Sequence, residues 1–595
     1  MSKLIGINTF LPNKGIVLNS PEEFLKNNYS SGDSRNMEFF EQFLQGRLGL
    51  TKFSNTMLSG PVLLIDQFWK FNGTWHLMIC TTKDIYSYDF TNLRFDILTP
   101  VYTTGTITIA AGTPTIVTGA GGANFTTAAI KAGDFIKIGS GSVHTGSTWY
   151  QVLTKDSDTQ LTLTTSAATC AGSAYVIRKI FNGASTNFWD SVTYQDAILG
   201  DVWVATNGID TPIRYTGTGQ VQALTGLPAG FTTCRYVDEF KDRLILAWTV
   251  EGANQPQRVR ASAVANCESY AALDFWDLME GGFWITGTTR FDNYLIIMRE
   301  RDAEIGRWVG GDSIFDFEPA SSCMGAWASQ SIVEAGDYIY YYGPDNKFHR
   351  WNLLRDEVIS EEIFPWTKDF DPNLEQYVFG WMMEGKNQIR WFVPHSSSTY
   401  NNACIVYDFA ENVLHIWEYE NTQACCSMGE YIRNSDLYAD DVIWGEYYAD
   451  TTTGFADDRT LLDGAPIPVY GGYDGYIRIA DSGYNDDTGE YTRVFESVRQ
   501  NFKLPTEIKR LKQQQHWLNS ELAGNITLKL KKDDSNSWET DTKTISLIDG
   551  ARDIIKKNIT WNKAAQNFKL RIEASNHFAM LGYISSVFSK GKTIR

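Results

Sequence analysis

The sequence predicts an all-β protein: a β-propeller of six to eight blades, a small β-barrel inserted into it, and a β-sandwich at the C-terminal end. Three observations predict this. Aromatic residues make up 14% of the 595 (19 Trp, 29 Tyr, 33 Phe), and aromatic side chains suit a pleated, half-buried surface. Helical periodicity is confined to two short windows, 22–27 and 36–44. One local form recurs: an apolar strand, a turn of Gly, Asn or Asp, and a second strand ending in aromatics. It is first seen whole at 72–90, NGTWHLMICTTKDIYSYDF, and short β-rich runs between such turn residues are the hairpin signal.

The form returns at 197–217, 237–263, 289–310, 333–353 and 381–419, and more loosely at 440–480. Its turn anchors are Gly73, Gly200, Asp242, Asn293, Gly336, Gly385 and Asp441, spaced by 127, 42, 51, 43, 49 and 56 residues. The first spacing is the exception. Treating 99–180 as an insertion of 82 residues reduces it to 45. A period of about 40–50 residues with four short strands per unit marks a propeller. A single blade cannot bury both faces, so blades stack on one another.

Taken in order, residues 1–60 form an N-terminal arm. Its stretch SRNMEFFEQFLQGRLGLTKF (34–53) carries Phe39, Phe40, Phe43, Leu44 and Leu48, which call for burial. The arm therefore completes a blade of its own chain or lies across a neighbour. Residues 61–98 and 181–485 are the propeller. Residues 99–180 are rich in Thr, Gly and Ala and poor in charge. Strand-like pieces at 106–110, 135–138, 149–153, 161–165 and 174–178 predict a small barrel, hung from a loop tip. Polar loops at 395–403 and 450–468 are where a rigid scaffold makes contacts. A linker at 484–490 precedes the last domain, 486–595. There, alternating apolar positions at 525–532 and 567–573 predict a β-sandwich.

The net charge is −18 and uneven. Residues 491–595 hold 19 Lys and Arg against 10 Asp and Glu, whereas 361–490 hold 6 against 24. Binding DNA requires Lys and Arg to neutralise phosphates, so the acidic stretch reads as a surface that does not retain DNA; solubility is the plainer explanation. No apolar run approaches the ~18 residues of a membrane span. The first residues lack a signal-peptide pattern, and the 8 cysteines are scattered. The sequence thus reads as made in a cytoplasm with reduced thiols.

Motifs for chemistry are sparse. The 7 histidines (76, 144, 349, 395, 415, 516 and 577) never take metalloprotease spacing. His76, His349 and His415 fall within β runs and read as strand residues. No CxxC pair, nucleophile elbow or phosphate loop occurs. The run GAGG at 119–122 lies in the Thr/Gly-rich insert rather than between a strand and a helix. Asp156 with Asp158, and Asp486 with Asp487, resemble fragments of calcium loops without the distal Glu, and read as hairpin turns. The stretch 532–540, KDDSNSWET, resembles one degenerate Asp-box and reads as a hairpin. The sequence therefore predicts no enzyme, no cofactor, and no catalytic, cofactor-binding or metal-ligating residue.

The arm NMEFFEQFLQGRLGL resembles the Asn-Met … Gly … Arg-x-Gly segment of tail nozzle proteins from short-tailed, podovirus-like bacteriophages. These are also described as tail-tube or packaged-DNA stabilisation proteins. VWVATNGIDTPIRYTG (202–217), FKDRLILAW with PQRVRASAV (240–248, 256–264), YLIIMRERDAEIGRWVGG (294–311) and SIVEAGDYIYYYGPDNKFHRWN (331–352) are similar to their blades. The insert at 99–180 departs from the family pattern. The resemblance implies a structural virion protein that assembles in the host bacterial cytoplasm. It would form a homo-oligomeric ring, typically hexameric in that family, that retains the packaged genome and forms the DNA exit channel. Its partners would be tail adaptor and portal proteins above, tail fibres or spikes, and double-stranded DNA passing without specific binding; no membrane span is implied. The alternative is a glycan-binding or glycan-active propeller, with exposed aromatics as sugar platforms. A third is a propeller scaffold for protein partners. The Asp-box occurs once and outside the repeats, and WD and kelch signatures are missing.

Overall fold

In the computed structural model the described residues run from 4 to 593, apart from 11–12, 23–24, 27, 41–42, 321, 397, 420–424, 433–465, 488, 503–505, 522–523, 534, 536 and 549–553. They are all-β, of the propeller class, and divide into two compact units. One is Ser54–Ala320 with Cys426–Ile477; the other is Met1–Phe53 with Ser321–Cys425 and Arg478–Arg595.

The Ser54–Ala320 unit holds four four-stranded antiparallel sheets in chain order. The first is Val62–Trp69, Trp75–Thr81, Ile85–Asp89 and Arg94–Ile97. The second is Asp190–Asp196, Gly200–Thr206, Ile213–Tyr215 and Gln222–Ala223. The third is Phe231–Phe240, Arg243–Glu251, Ala253–Ala261 and Phe275–Asp277. The fourth is Ile285–Phe291, Tyr294–Arg299, Ala303–Gly310 and Ile314–Pro319. Gly73, Gly200, Asp242 and Asn293 each mark the turn between the first and second strands of their sheet. Gly73 and Asp242 have φ of 83° and 56°, the left-handed backbone that tight hairpins require.

Packing follows from that repeat. Leu63, Met78, Trp189 and Trp203 fill the space between the first and second sheets. Val202, Val204, Val237 and Leu244 fill the next gap, and Ile245, Val259, Leu295 and Ile297 the one after. Each sheet thus buries a face against its neighbour, and the first strands pack side by side. Strand Pro466–Gly472 packs against Val62–Trp69, and a Cβ at Gly471 would collide with Val62.

The insert forms one eight-stranded sheet. In spatial order it runs Cys170–Ser173, Thr106–Ile109, Ile116–Ala120, Gln160–Leu163, Tyr150–Lys155, Phe135–Ile138, Tyr175–Arg178 and Val101–Tyr102. It wraps its own core of Ile107, Val117, Phe125, Ile136, Leu161 and Tyr175. Three strands exceed the sequence expectation. Val101–Tyr102 is too short to show alternation, Cys170–Ser173 carries small residues instead of the branched ones that signal strands, and Ile116–Ala120 has branched residues only in its first three positions before Gly and Ala.

In the other unit the fifth sheet is Val333–Ala335, Tyr338–Tyr342, Phe348–Trp351 and Asp356–Val358. The sixth is Phe379–Met383, Gln388–Val393, Ala403–Asp408 and Val413–Glu418. Gly336 and Gly385 again stand between first and second strands. A sandwich follows. One sheet runs Met37–Phe40, Phe43–Gly46, Ala579–Thr593, Glu507–Asn519, Ile554–Ala565, with Leu4–Phe10 also paired to Ala579–Thr593. The other runs Arg493–Glu496, Phe568–Ala574, Asn525–Lys532, Lys543–Ser546. Met37, Leu44, Phe495, Leu511, Leu528 and Leu570 share the core between them.

The N-terminal strands therefore belong to sheets of their own chain. Leu50–Lys52 continues the pattern by pairing antiparallel with Ile477–Ala480. The expected helix at 36–44 is instead a hairpin, Met37–Phe40 with Phe43–Gly46, because Ala579–Thr593 takes up the backbone of its second strand. Only Leu44 of the apolar residues singled out there is fully buried; Phe39, Phe43 and Leu48 are half-buried. Residues 23, 24 and 27 of the other window, Asp441 and most of the 450–468 loop lie outside the described residues. Among the described residues no helix is long and apolar enough to cross a membrane.

The insert joins the first sheet through the paired stalk Val101–Tyr102 and Tyr175–Arg178. Replacing 103–174 with a short Gly/Ser turn keeps Thr99 and Arg178, which both contact Asp84. Circular dichroism of that protein is expected to retain β-structure and a cooperative melt. Loss of both would contradict an independent insert.

Candidate functional site

The arm places one arginine among a dense set of partners. Arg47 is fully buried (0% exposed). Its Nη1 and Nη2 donate to the two carboxylate oxygens of Asp486 at 2.9 and 2.5 Å. Its Nε donates to Asn36 Oδ1 at 3.1 Å, and its Nη2 also donates to the Glu418 carbonyl at 3.1 Å. The guanidinium plane lies 3.7 Å from the ring centre of Tyr491 and 4.4 Å from that of Tyr419. Bidentate pairing and ring stacking are what make a buried guanidinium tolerable. Burial alone would lower its pKa; Tyr419 and the Asp486 carboxylate outweigh that and leave it raised.

The backbone fits around this group. Asn36 (φ 56°) accepts from the Glu418 N–H at 2.8 Å and donates to the Thr492 carbonyl at 2.9 Å. A Cβ at Gly46 would strike the Arg493 side chain, and one at Gly49 the Asn485 backbone. Asn36, Gly46, Arg47 and Gly49 are the residues that carry the arm's resemblance. The other resembling stretches behave alike. Arg260 clamps Glu251 at 3.0 and 2.7 Å, and Arg258 clamps Asp277 at 2.7 Å twice. Buried Arg299 reaches Asp302 and Glu304 at 2.5 and 2.9 Å. His349 lies between Asp345 at 3.0 Å and Asp356 at 3.1 Å, stacked on Tyr341. Burial works against the imidazolium, but the two carboxylates prevail and lift its pKa to about 9.

A second arrangement appears on the first strands of the Ser54–Ala320 unit. Asp66, Asp190 and Asp238 each accept from the backbone N–H of the following residue, at 2.7, 3.1 and 2.7 Å. Each also reaches the next sheet. Asp66 Oδ2 accepts from Ser191 Oγ at 2.6 Å and from Trp203 Nε1 at 2.7 Å. Asp190 Oδ2 accepts from the Val237 N–H at 2.9 Å. Asp238 pairs with Arg290 Nε at 3.2 Å, and Arg290 ends the row. The row staples neighbouring sheets and concentrates negative charge. Burial, then Asp238 and Asp66, push the Asp190 carboxyl up to about 7.

The remaining candidates are structural in geometry. His76 packs on Phe68 and Tyr215, and His415 Nε2 accepts from the Phe39 N–H at 3.3 Å. Gly121 and Gly122 form the turn after Ile116–Ala120, both with positive φ. Asp156 accepts from Thr154 and Thr162 within its hairpin. Asp486 and Asp487 are held by Arg47 and Arg478. Asp533 of the Asp-box-like stretch accepts from the backbone N–H groups of Gln566 and Asn567. Of the acidic 361–490 stretch, Asp481 is likewise tied to Arg390 and Lys386. Sequence reasoning missed the carboxylate row. Its signal was the thrice-repeated Asp inside an apolar first strand, as IDQF, WDSV and VDEF.

No protein-family model matches the chain, and no curated protein matches it. Among solved structures it is similar to the WD40 domain of Neurospora crassa Pan2 (8% identity, 75% of this chain and 98% of that chain, TM-score 0.26). It is also similar to a glycoside hydrolase (8%, 88% and 99%, 0.22) and to the phage phi92 endosialidase (9%, 81% and 70%, 0.18). Likeness of this degree carries nothing about function.

Asp190 and His349 give two successive declines in a pH profile. An acid whose folded pKa is raised holds a proton that the unfolded chain has released, so stability falls between the two values. For Asp190 that window runs from the ordinary 3.8 to about 7. His349, raised from 6.5 to about 9, contributes fully below 6.5 and loses its contribution as pH rises through about 9. Thermal melts of Asp190→Asn are expected to lack the decline between pH 4 and 7. Melts of His349→Gln are expected to lack the further decline towards pH 9. Slopes identical to those of the unsubstituted protein would contradict the assignments.

Proposed function

We propose that the chain is a structural virion protein of the tail-nozzle kind. In this reading several copies, six by the family resemblance, form a ring below the portal and adaptor. The ring retains the packaged genome and lets it out, and fibres or spikes attach around it. One observation supports this above others. The residues on which the arm's resemblance rests, Asn36, Gly46, Arg47 and Gly49, are the ones whose replacement the packing around Asp486 cannot absorb. A scaffold that withstands internal pressure has to secure its chain ends. Here Leu4–Phe10, Phe43–Gly46 and Leu50–Lys52 are all paired into sheets. The carboxylate row and the net charge of −18 suit a protein past which DNA slides without sticking.

A second reading, binding of glycans, is favoured by one exposed aromatic surface described below.

Antibody against the chain, applied to particles that carry its gene, is expected to label the tail, and electron microscopy of those tails to show a ring of this protein. The isolated protein is expected to leave duplex DNA unshifted in gels even at low salt. Its absence from the particle, or a single unringed copy there, would overturn the reading.

A further inference from the structure

The strand Arg243–Glu251 carries a feature that its own sheet does not need. Trp248 has φ of 52°, a conformation costly for a bulky residue. It sits at a bulge, where the pairing register with Ala253–Ala261 shifts between Ala247 and Thr249. Bulges re-aim side chains, and the indole here lies half-buried beside the core of Ile245, Val259, Leu295 and Ile297. The ring is then fixed: Trp248 Nε1 donates to Asn254 Oδ1 at 2.8 Å. The Arg235 guanidinium lies 4.1 Å over its face. Trp284 meets its edge at 5.5 Å and 65°.

Two properties make this more than a packing cluster. Trp284 remains 49% exposed, so a large aromatic face stays open to solvent. Arg235 is exposed, and no carboxylate lies within ion-pair distance of it among the described residues. By contrast, Arg258, Arg260, Arg290 and Arg299 are all paired. The adjoining acids are occupied: Glu300 accepts from the Trp284 N–H, and Asp210 from Asn182 and Asn207. The surface therefore offers an apolar ring and a cation that both rest on Trp248, which its hydrogen bond to Asn254 holds in place.

The geometry points to a binding surface for an acidic polysaccharide, beyond the nozzle reading and independent of it. The C–H face of a pyranose stacks on the open Trp284 ring, while the free edge of the Arg235 guanidinium takes a sugar carboxylate in a forked pair. A neutral glycan would leave Arg235 unused, and a peptide acid would leave Trp284 unused.

The test uses the full chain with oligosialic acid, polygalacturonate and alginate as probes, and with dextran and polyglutamate as controls, followed by tryptophan fluorescence at roughly 0.15 M salt. At least one acidic polysaccharide is expected to bind saturably, with neither dextran nor polyglutamate matching it. Arg235→Gln and Trp284→Ala are each expected to weaken that binding by about tenfold or more. Both side chains are exposed, so the variants are expected to keep the melting temperature of the unsubstituted protein. Binding to none of the three acidic polysaccharides, equal binding to polyglutamate, or binding unchanged in both variants would overturn the proposal. These outcomes are read on isolated protein, so they stand apart from whether the chain forms a tail ring.

Discussion

The unit that contains both chain ends depends on one buried ion pair, Arg47 with Asp486. A charge removed from water costs several kcal/mol unless it is paired and fully hydrogen-bonded. Arg47 meets that demand with a forked carboxylate, a side-chain amide, two backbone carbonyls and two aromatic rings. Its distant partners come from three stretches of chain, at 36, 418–419 and 486–491, so the pair fixes their positions together. It makes Gly46, Gly49 and Asn36 obligatory, and through them the hairpin that enters the sandwich.

The same solution recurs at smaller scale. Arg178 with Asp84, Arg260 with Glu251, Arg299 with Glu304 and Arg390 with Asp481 are all at least nine-tenths shielded on the arginine side. Stacked sheets leave polar backbone at their ends, where apolar side chains give way to turns. Guanidinium groups can satisfy several carbonyls and a carboxylate at once, as Arg299 does with Leu278 and Glu280. The hydrophobic gaps between sheets supply most of the burial, while these pairs set which strand ends meet. The Asp66–Asp190–Asp238 row ties successive first strands by hydrogen bonds across the gaps.

Much of the fold was legible because it repeats. The anchors at Gly73, Gly200, Asp242, Asn293, Gly336 and Gly385 all fall at equivalent turns, since a tight hairpin demands those residue types wherever it occurs. What failed was local. Residues 36–44 have helical spacing, but neighbouring strands decide their backbone. In the insert, the small residues of Cys170–Ser173 conceal a strand that pairing alone defines. The site was far less legible. Asp66, Asp190 and Asp238 are separated by whole sheets in sequence and meet only through stacking. The placement of Trp248 depends on a bulge, which no alternation pattern reports. Arg47 was visible only in the Arg-x-Gly of the resembling arm, and nothing in the sequence linked it to Asp486, 439 residues away.

The N-terminal strands are locked into sheets of their own chain. Native-state hydrogen exchange of the amides from Phe43 to Lys52 measures this directly, in the unsubstituted protein and in Asp486→Asn. The account predicts protection comparable to the central strand Glu507–Asn519 in the unsubstituted protein. In the variant it predicts a loss of about 3–5 kcal/mol of protection, as for a buried charge left without its partner. Arm amides exchanging as freely as an unpaired segment, or unchanged on substitution, would contradict it.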